Sequence, residues 1–158
     1  MSNWIESWLD NLCAVMGVTD RHGKQVRSFM VFKRNELPLS ILPEDVPCVV
    51  SYVTDVQPQY SSGGPTILFH QGQSEYHLTT DVSPSNVPYC MSLFEPILRA
   101  AAGSMKLSGT VELFIIPEQA GSMQFITYRN AEGKDDHQGV VVKWTVKQNI
   151  SGDLVVSA

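Results

Sequence analysis

The sequence predicts an α+β fold: a mostly antiparallel β-sheet with two α-helices packed on it, as a single domain over residues 1–158. Three observations point there. Two stretches carry apolar residues at the 3.6-residue period, one at each side of a run of strand-like segments. The strand-like segments are short, rich in β-branched and aromatic residues, and divided by Gly, Pro, Asn and Asp. Their order (helix, strands, hairpin, helix, strands) is that of an antiparallel sheet with helices laid on it rather than of alternating βαβ units. At 158 residues the chain is long enough to bury a core without covalent staples.

The first helix starts at Asn3, whose side chain with Glu6 three positions on forms a capping-box pattern, and Trp4, Ile5, Trp8, Leu9, Leu12, Val15 and Met16 follow at helical spacing. Gly17 is its expected stop. "VRSFMVFK" (Val26 to Lys33) reads as a strand. "NELPLSILPEDVP" does not, because Pro38, Pro43 and Pro47 remove backbone donors and fix φ; it is expected to be an extended connection, with Leu37, Leu39, Ile41 and Leu42 supplying apolar contact. "CVVSYVT" (Cys48 to Thr54) has the composition of a buried strand, and "QPQYSSGGP" (Gln57 to Pro65) that of a loop. "TILFH" and "EYHLTT" flank Gln71-Gly72-Gln73-Ser74, which reads as a hairpin.

The second helix stacks Met91, Phe94, Leu98, Ala101, Ala102 and Met105, with Ser92 and Glu95 as a second capping-box pattern and Pro96 in the first turn. The alternative is a longer helix from near Pro88, kinked at Pro96. Three strands follow: "TVELFII" (Thr110 to Ile116), "MQFITYR" (Met123 to Arg129) and "GVVVKWTVKQ". In the last, Val140, Val142, Trp144 and Val146 alternate with Val141, Lys143, Thr145 and Lys147, which predicts one core face and one largely wet face.

Composition narrows the function classes. Eleven Lys and Arg against 16 Asp and Glu leave a formal charge of −5 with no basic cluster, which argues against nucleic-acid wrapping or sequence-specific nucleic-acid binding. The N-terminal apolar stretch holds Glu6 and Asp10 and lacks a basic region, so neither a signal peptide nor a membrane span is expected. Cys13, Cys48 and Cys90 sit in apolar runs and cannot all pair, which fits core thiols of a cytoplasmically folded protein.

Candidate chemistry is sparse. "GKDDHQG" (Gly133 to Gly139) invites a metal or acid–base reading, but its composition suits a loop joining two antiparallel strands, and the expectation is a turn. A metal site there would have to borrow His70, His77 or Glu75. His70 and His77 flank the predicted hairpin and are expected to be partly exposed. No CxxC, HExxH, GxSxG, GxGxxG or P-loop pattern occurs. Cys90, near a helix start, is the thiol whose pKa would be lowered there, without a visible His partner. Neither an enzyme nor a cofactor is expected.

The organisation resembles that of the tail terminator (tail completion or neck) proteins of long-tailed bacteriophages. The residues that carry the likeness are the proline-punctuated run "LPLSILPEDVPCVVSY" and the closing "FITYRNAEGKDDHQGVVVKWTVKQN", in which His137 and Gly139 open an alternating strand. The resemblance implies a virion protein of the tail and neck, assembled in the host cytoplasm. It implies a homohexameric ring that caps the tail tube protein, ends polymerisation, and then meets the head–tail connector protein. Contacts would be carried by Leu37, Leu39 and Ile41, by the loop Tyr60, Ser61, Ser62, Gly63 and Gly64, and by the turn Asp135, Asp136 and His137. The competing reading is a small metal- or ligand-binding α+β domain near His70, His77 and Glu75, or another head–tail joining protein.

Overall fold

A computed structural model of the chain describes residues 4–28, 45–60, 66–130 and 132–150. Its elements are helix α1 (Trp4–Met16), a short strand β1 (Arg27–Ser28), strands β2 (Cys48–Gln59) and β3 (Thr66–Thr79), helices α2 (Val87–Met91) and α3 (Phe94–Ala102), and strands β4 (Leu113–Ile115), β5 (Met123–Arg129) and β6 (Asp135–Ile150). The sheet runs β1-β2-β3-β6-β4, with β5 also on β6. All pairs are antiparallel except β1 with β2. The α+β class is that predicted from the sequence.

β6 organises the sheet. β3 lies along one edge of it from Ile150 to Gln138, while β4 and β5 share the other edge end to end. Lys143 N–H donates to Ser122 O at 2.7 Å, close to where β5 begins. The helices cover one face. Val140, Val142, Trp144 and Val146 of β6 are buried there with Val49, Tyr76, Trp8, Leu12, Met16, Leu93, Ile97 and Phe114. Trp144 meets Trp8 and Phe114 edge to face, with centroids 6.0 and 6.3 Å apart. The one polar group of Tyr76 is satisfied inside this core, its hydroxyl donating to Met16 O at 2.6 Å.

Several expectations are corrected. Gln71–Ser74 is not a hairpin turn; β3 runs through it without a break. Gly72 is glycine for another reason: a Cβ there would lie 2.3 Å from the Trp144 ring and 2.5 Å from Tyr52 O. The reversal falls instead between β2 and β3, and Gln57–Gln59 belong to β2 rather than to a loop. Pro58 is tolerated in that strand because, among the described residues, only β3 pairs with this part of β2.

The second helix does not begin behind Ser92; the helix starts at Val87, close to the longer alternative, and breaks between α2 and α3 ahead of Pro96. Pro96 has no N–H to give Ser92 O, so the helical ladder is interrupted one turn before it. Ser92 donates to Tyr89 O and Glu95 pairs with Arg99, so the Ser92–Glu95 capping box does not form. For the first capping box, Asn3 and the side chain of Glu6 lie outside the described residues, as do the side chains of Trp4 and Ile5. The strand at Val26 is seen as β1, and its expected continuation beyond Ser28 also lies outside them. Among the described residues, no helix is long and apolar enough to cross a membrane.

The sheet changes character along its length. Past a register shift between Val53 and Asp55, Thr54–Gln59 of β2 are all exposed. Thr66–Phe69 of β3 and Lys147–Ile150 of β6 are half-buried or exposed. None of these residues joins the core. They form a three-stranded arm reaching past the helices. The register places Val56, Pro58 and Leu68 on one face of it and Ile67 and Phe69 on the other.

Candidate functional site

The turn expected at "GKDDHQG" lies earlier in the chain. Asn130 closes it, its N–H donating to Lys134 O and its side-chain carbonyl accepting from the N–H groups of Glu132 and Lys134. Asp135, Asp136 and His137 are the first residues of β6. They are strand because Tyr128 and Arg129 of β5 offer ladder partners there. Asp135 and Asp136 are exposed, and Asp135 lies 3.6 Å from Arg129 across the strand pair. His137 is 7% exposed.

That burial brings together residues far apart in sequence. His77 Nδ1 lies 2.5 Å from His137 Nε2, and His137 Nδ1 lies 2.8 Å from Asp136 Oδ2. On the far side, His77 Nε2 faces Glu75 Oε2 at 3.6 Å. Tyr52 of β2 donates to Glu75 Oε1 at 2.7 Å, and Gln73 donates both to the Tyr52 hydroxyl and to the same carboxylate oxygen. Tyr128 covers both imidazoles, with centroids 4.2 Å from His77 and 4.7 Å from His137. Its hydroxyl reaches Tyr76 O and Val140 O at 3.2 and 3.3 Å. Gly139 permits this closure: a Cβ there would sit 1.7 Å from Tyr76 O and 3.2 Å from the Tyr128 ring.

The electrostatics follow from burial and these partners. Burial pushes the Glu75 carboxyl up, but the nearby His77 imidazole and the hydrogen bond from Tyr52 outweigh it and hold Glu75 below the usual range. Burial and His77 hold the His137 imidazole below its ordinary value against the opposing pull of Asp136.

His77 and His70 are not the exposed pair that the sequence suggests. They stand on opposite faces of β3, and both are buried. His70 lies against Trp8, centroids 4.8 Å apart, with Nε2 3.0 Å from Gln148 Oε1. Burial lowers its pKa. The face of the sheet away from the helices is therefore not wet throughout, since Cys48, Val50, His77 and Val141 are buried on it while Lys143 is exposed.

The thiols are closed to nucleophilic use. Burial pushes Cys13 and Cys90 up to about 11 and Cys48 to about 12, which reverses the lowered value expected at Cys90. Among the described residues, no three His, Cys, Asp or Glu side chains converge as a metal-ligand set. A second polar feature lies beyond the helices. Asp20 accepts from Tyr89 and from the N–H groups of His22 and Lys24, next to an open cleft of about 350 Å³ lined by Lys24, Pro47, Asp81 and Tyr89.

Of the contact residues expected from the sequence, Tyr60 ends the arm and is 78% exposed. Leu37, Leu39 and Ile41, and Ser61, Ser62, Gly63 and Gly64, lie outside the described residues. Sequence reasoning missed the His77–His137 pair because its members are 60 positions apart and no local period links them. Neither a protein-family model nor a curated protein matches the chain.

Proposed function

We propose that this chain is a structural subunit of the tail–head joint of a long-tailed bacteriophage. It caps the tail tube as a ring, ends polymerisation there, and offers its other face to the head–tail connector protein. The ring is homohexameric on the resemblance in element order, and no catalysis or cofactor is involved. The mechanism is competition for a polymerising edge. A head-to-tail contact that closes on itself ends assembly in its own plane.

One observation carries the reading. The chain builds a three-stranded arm with apolar side chains part-exposed on both faces, Val56 at 42% and Tyr60 at 78% among them. An arm that contributes nothing to its own core suits a surface made for another subunit. The edges fit too: among the described residues, β5 pairs only with β6, which leaves its outer backbone groups for a neighbour. A net charge of −5 without basic clusters suits a ring through which DNA must slide without sticking.

The competing reading, a small metal- or ligand-binding domain, has in its favour the polar cluster of Glu75, His77 and His137, which among the described residues does not form a metal-ligand set. It predicts a rise in melting temperature on adding the ligand, because a ligand bound only to the native state stabilises it.

The deciding experiment is disruption of the gene in its source phage, with tails imaged by electron microscopy. Overlong, headless tails are the expected result. Normal joined particles overturn the proposal, and headless tails of normal length move the chain to a joining role.

A further inference from the structure

Glu75, His77, His137 and Asp136 follow one another through pairwise contacts, and their hydrogen-bonding capacities fix where the protons sit. An ionised carboxylate only accepts, so the single proton of a neutral His137 lies on Nδ1, toward Asp136 at 2.8 Å. Its Nε2 is then a lone pair. His77 Nδ1 stands 2.5 Å from that lone pair, and two lone pairs at this distance repel, so the His77 proton lies on Nδ1. This leaves His77 Nε2 bare. It is buried, it has no hydrogen-bond partner, and it faces the Glu75 carboxylate at 3.6 Å. A bare lone pair beside a half-buried carboxylate is costly, and one added proton removes the cost.

We propose that Glu75, His77, His137 and Asp136 form a site that binds one proton from solvent at Nε2 of His77, completing a hydrogen-bonded chain from one carboxylate to the other. The proton ties β3, which supplies Glu75 and His77, to the first residues of β6, which supply Asp136 and His137. It also firms the end of β5, whose Tyr128 lies on both rings.

The other titratable groups around the pair are neutral. Tyr52 and Cys48 on β2, Tyr128 on β5 and Cys90 on α2 are all raised, by burial first. The second proton is refused, because burial and the charge on His77 both oppose it at His137. The pair therefore takes one proton where two separate histidines take two. A metal ion fits less well. Two nitrogens bound to one ion at about 2.0–2.1 Å in tetrahedral geometry stand roughly 3.3 Å apart, more than the 2.5 Å between these rings.

The inference is independent of the role in the virion. Its test is nitrogen-15 NMR of the imidazoles in the full chain from about pH 8 to about pH 5, the range over which a histidine changes charge. The expected result is His137 as the Nδ1–H tautomer throughout, with His77 Nε2 passing from bare to protonated in one step that both rings report. The Glu75→Gln variant should lower the proton affinity of the pair on the order of tenfold, with the exposed His22 unchanged as a marker of the intact fold. Two independent steps, a neutral His77 carrying its proton on Nε2, or an unaltered affinity in Glu75→Gln would each overturn the proposal. If that variant does not fold, the wild-type tautomers decide alone.

Discussion

The two halves of the sheet are built from the same strands and do opposite things. From Cys48 to Val53, from His70 to Thr79 and from His137 to Val146, nearly every side chain is buried or half-buried, and most of the polar ones bond to one another. Ser51 meets Ser74 at 2.7 Å, and Ser74 in turn accepts from Trp144 Nε1 at 3.1 Å. In the arm the hydrogen-bonded ladder continues unbroken, yet Thr54–Gln59 are all exposed and no residue reaches the core. Backbone pairing thus sets the shape of both halves, while burial supplies stability only to the first. The residue that divides them is Thr54, where the ladder slips by one and the strand twists out of the body.

Substitutions sharpen or break this contrast, and the largest effect belongs to the body. Gly139→Ala should cost more than about 4 kcal/mol and leave the chain largely unfolded by urea titration, because its methyl group would overlap the Tyr76 carbonyl. Trp8→Ala removes the side chain that lies on both His70 and Trp144 and should cost about 3–5 kcal/mol in the same measurement.

Acid comes next. His70 and His137 are held below the ordinary imidazole range in the folded chain, by burial above all, and return to it on unfolding. As pH falls through that range the unfolded chain gains protons that these folded histidines refuse, so the contribution of His70 and His137 to stability should decline, against the gain from a proton taken up at His77. Glu75 and Asp20, both held low in the fold, add a further loss at more acidic pH as their carboxylates are forced to protonate. Melting temperature recorded against pH checks both steps.

The arm should respond in the opposite sense. Val56→Ser with Tyr60→Ser is expected to change stability by about 0.5 kcal/mol or less. If the chain caps tail tubes as proposed, the double substitution should nevertheless abolish ring assembly on them, scored by electron microscopy. A loss of stability as large as that of a core variant would break the division drawn between the halves. Smallest of all is Glu95→Ala. Its partner Arg99 is 79% exposed, and the pair should contribute no more than about 0.3–0.5 kcal/mol.

Much of the body was legible in the sequence. The alternation in β6 and the helical stripe from Trp8 to Met16 each report one buried face, and burial against a single layer is what those periods encode. The arm was not legible, because its boundaries turn on residues whose types carry two meanings. Gly72 has the composition of a turn but is there to admit a tryptophan ring. Pro58 has the composition of a loop but sits in a strand where nothing among the described residues needs its missing donor. The same ambiguity hid the candidate site. Asp135, Asp136 and His137 look like turn residues, and only the ladder offered by β5 makes them strand. His77 and His137 are joined by register, which no short window contains.

The position of β6 also governs the order of folding. It follows β3, β4 and β5 in the chain and pairs with all three, so none of those strands has its main partner until β6 is available. Contacts between sites so distant in sequence close large loops before they return any stability, which makes folding slow relative to a helical protein of this size. On the ribosome, earlier strands would emerge with unpaired edges and wait. Until β6 arrives, those edges are open to pairing with other chains.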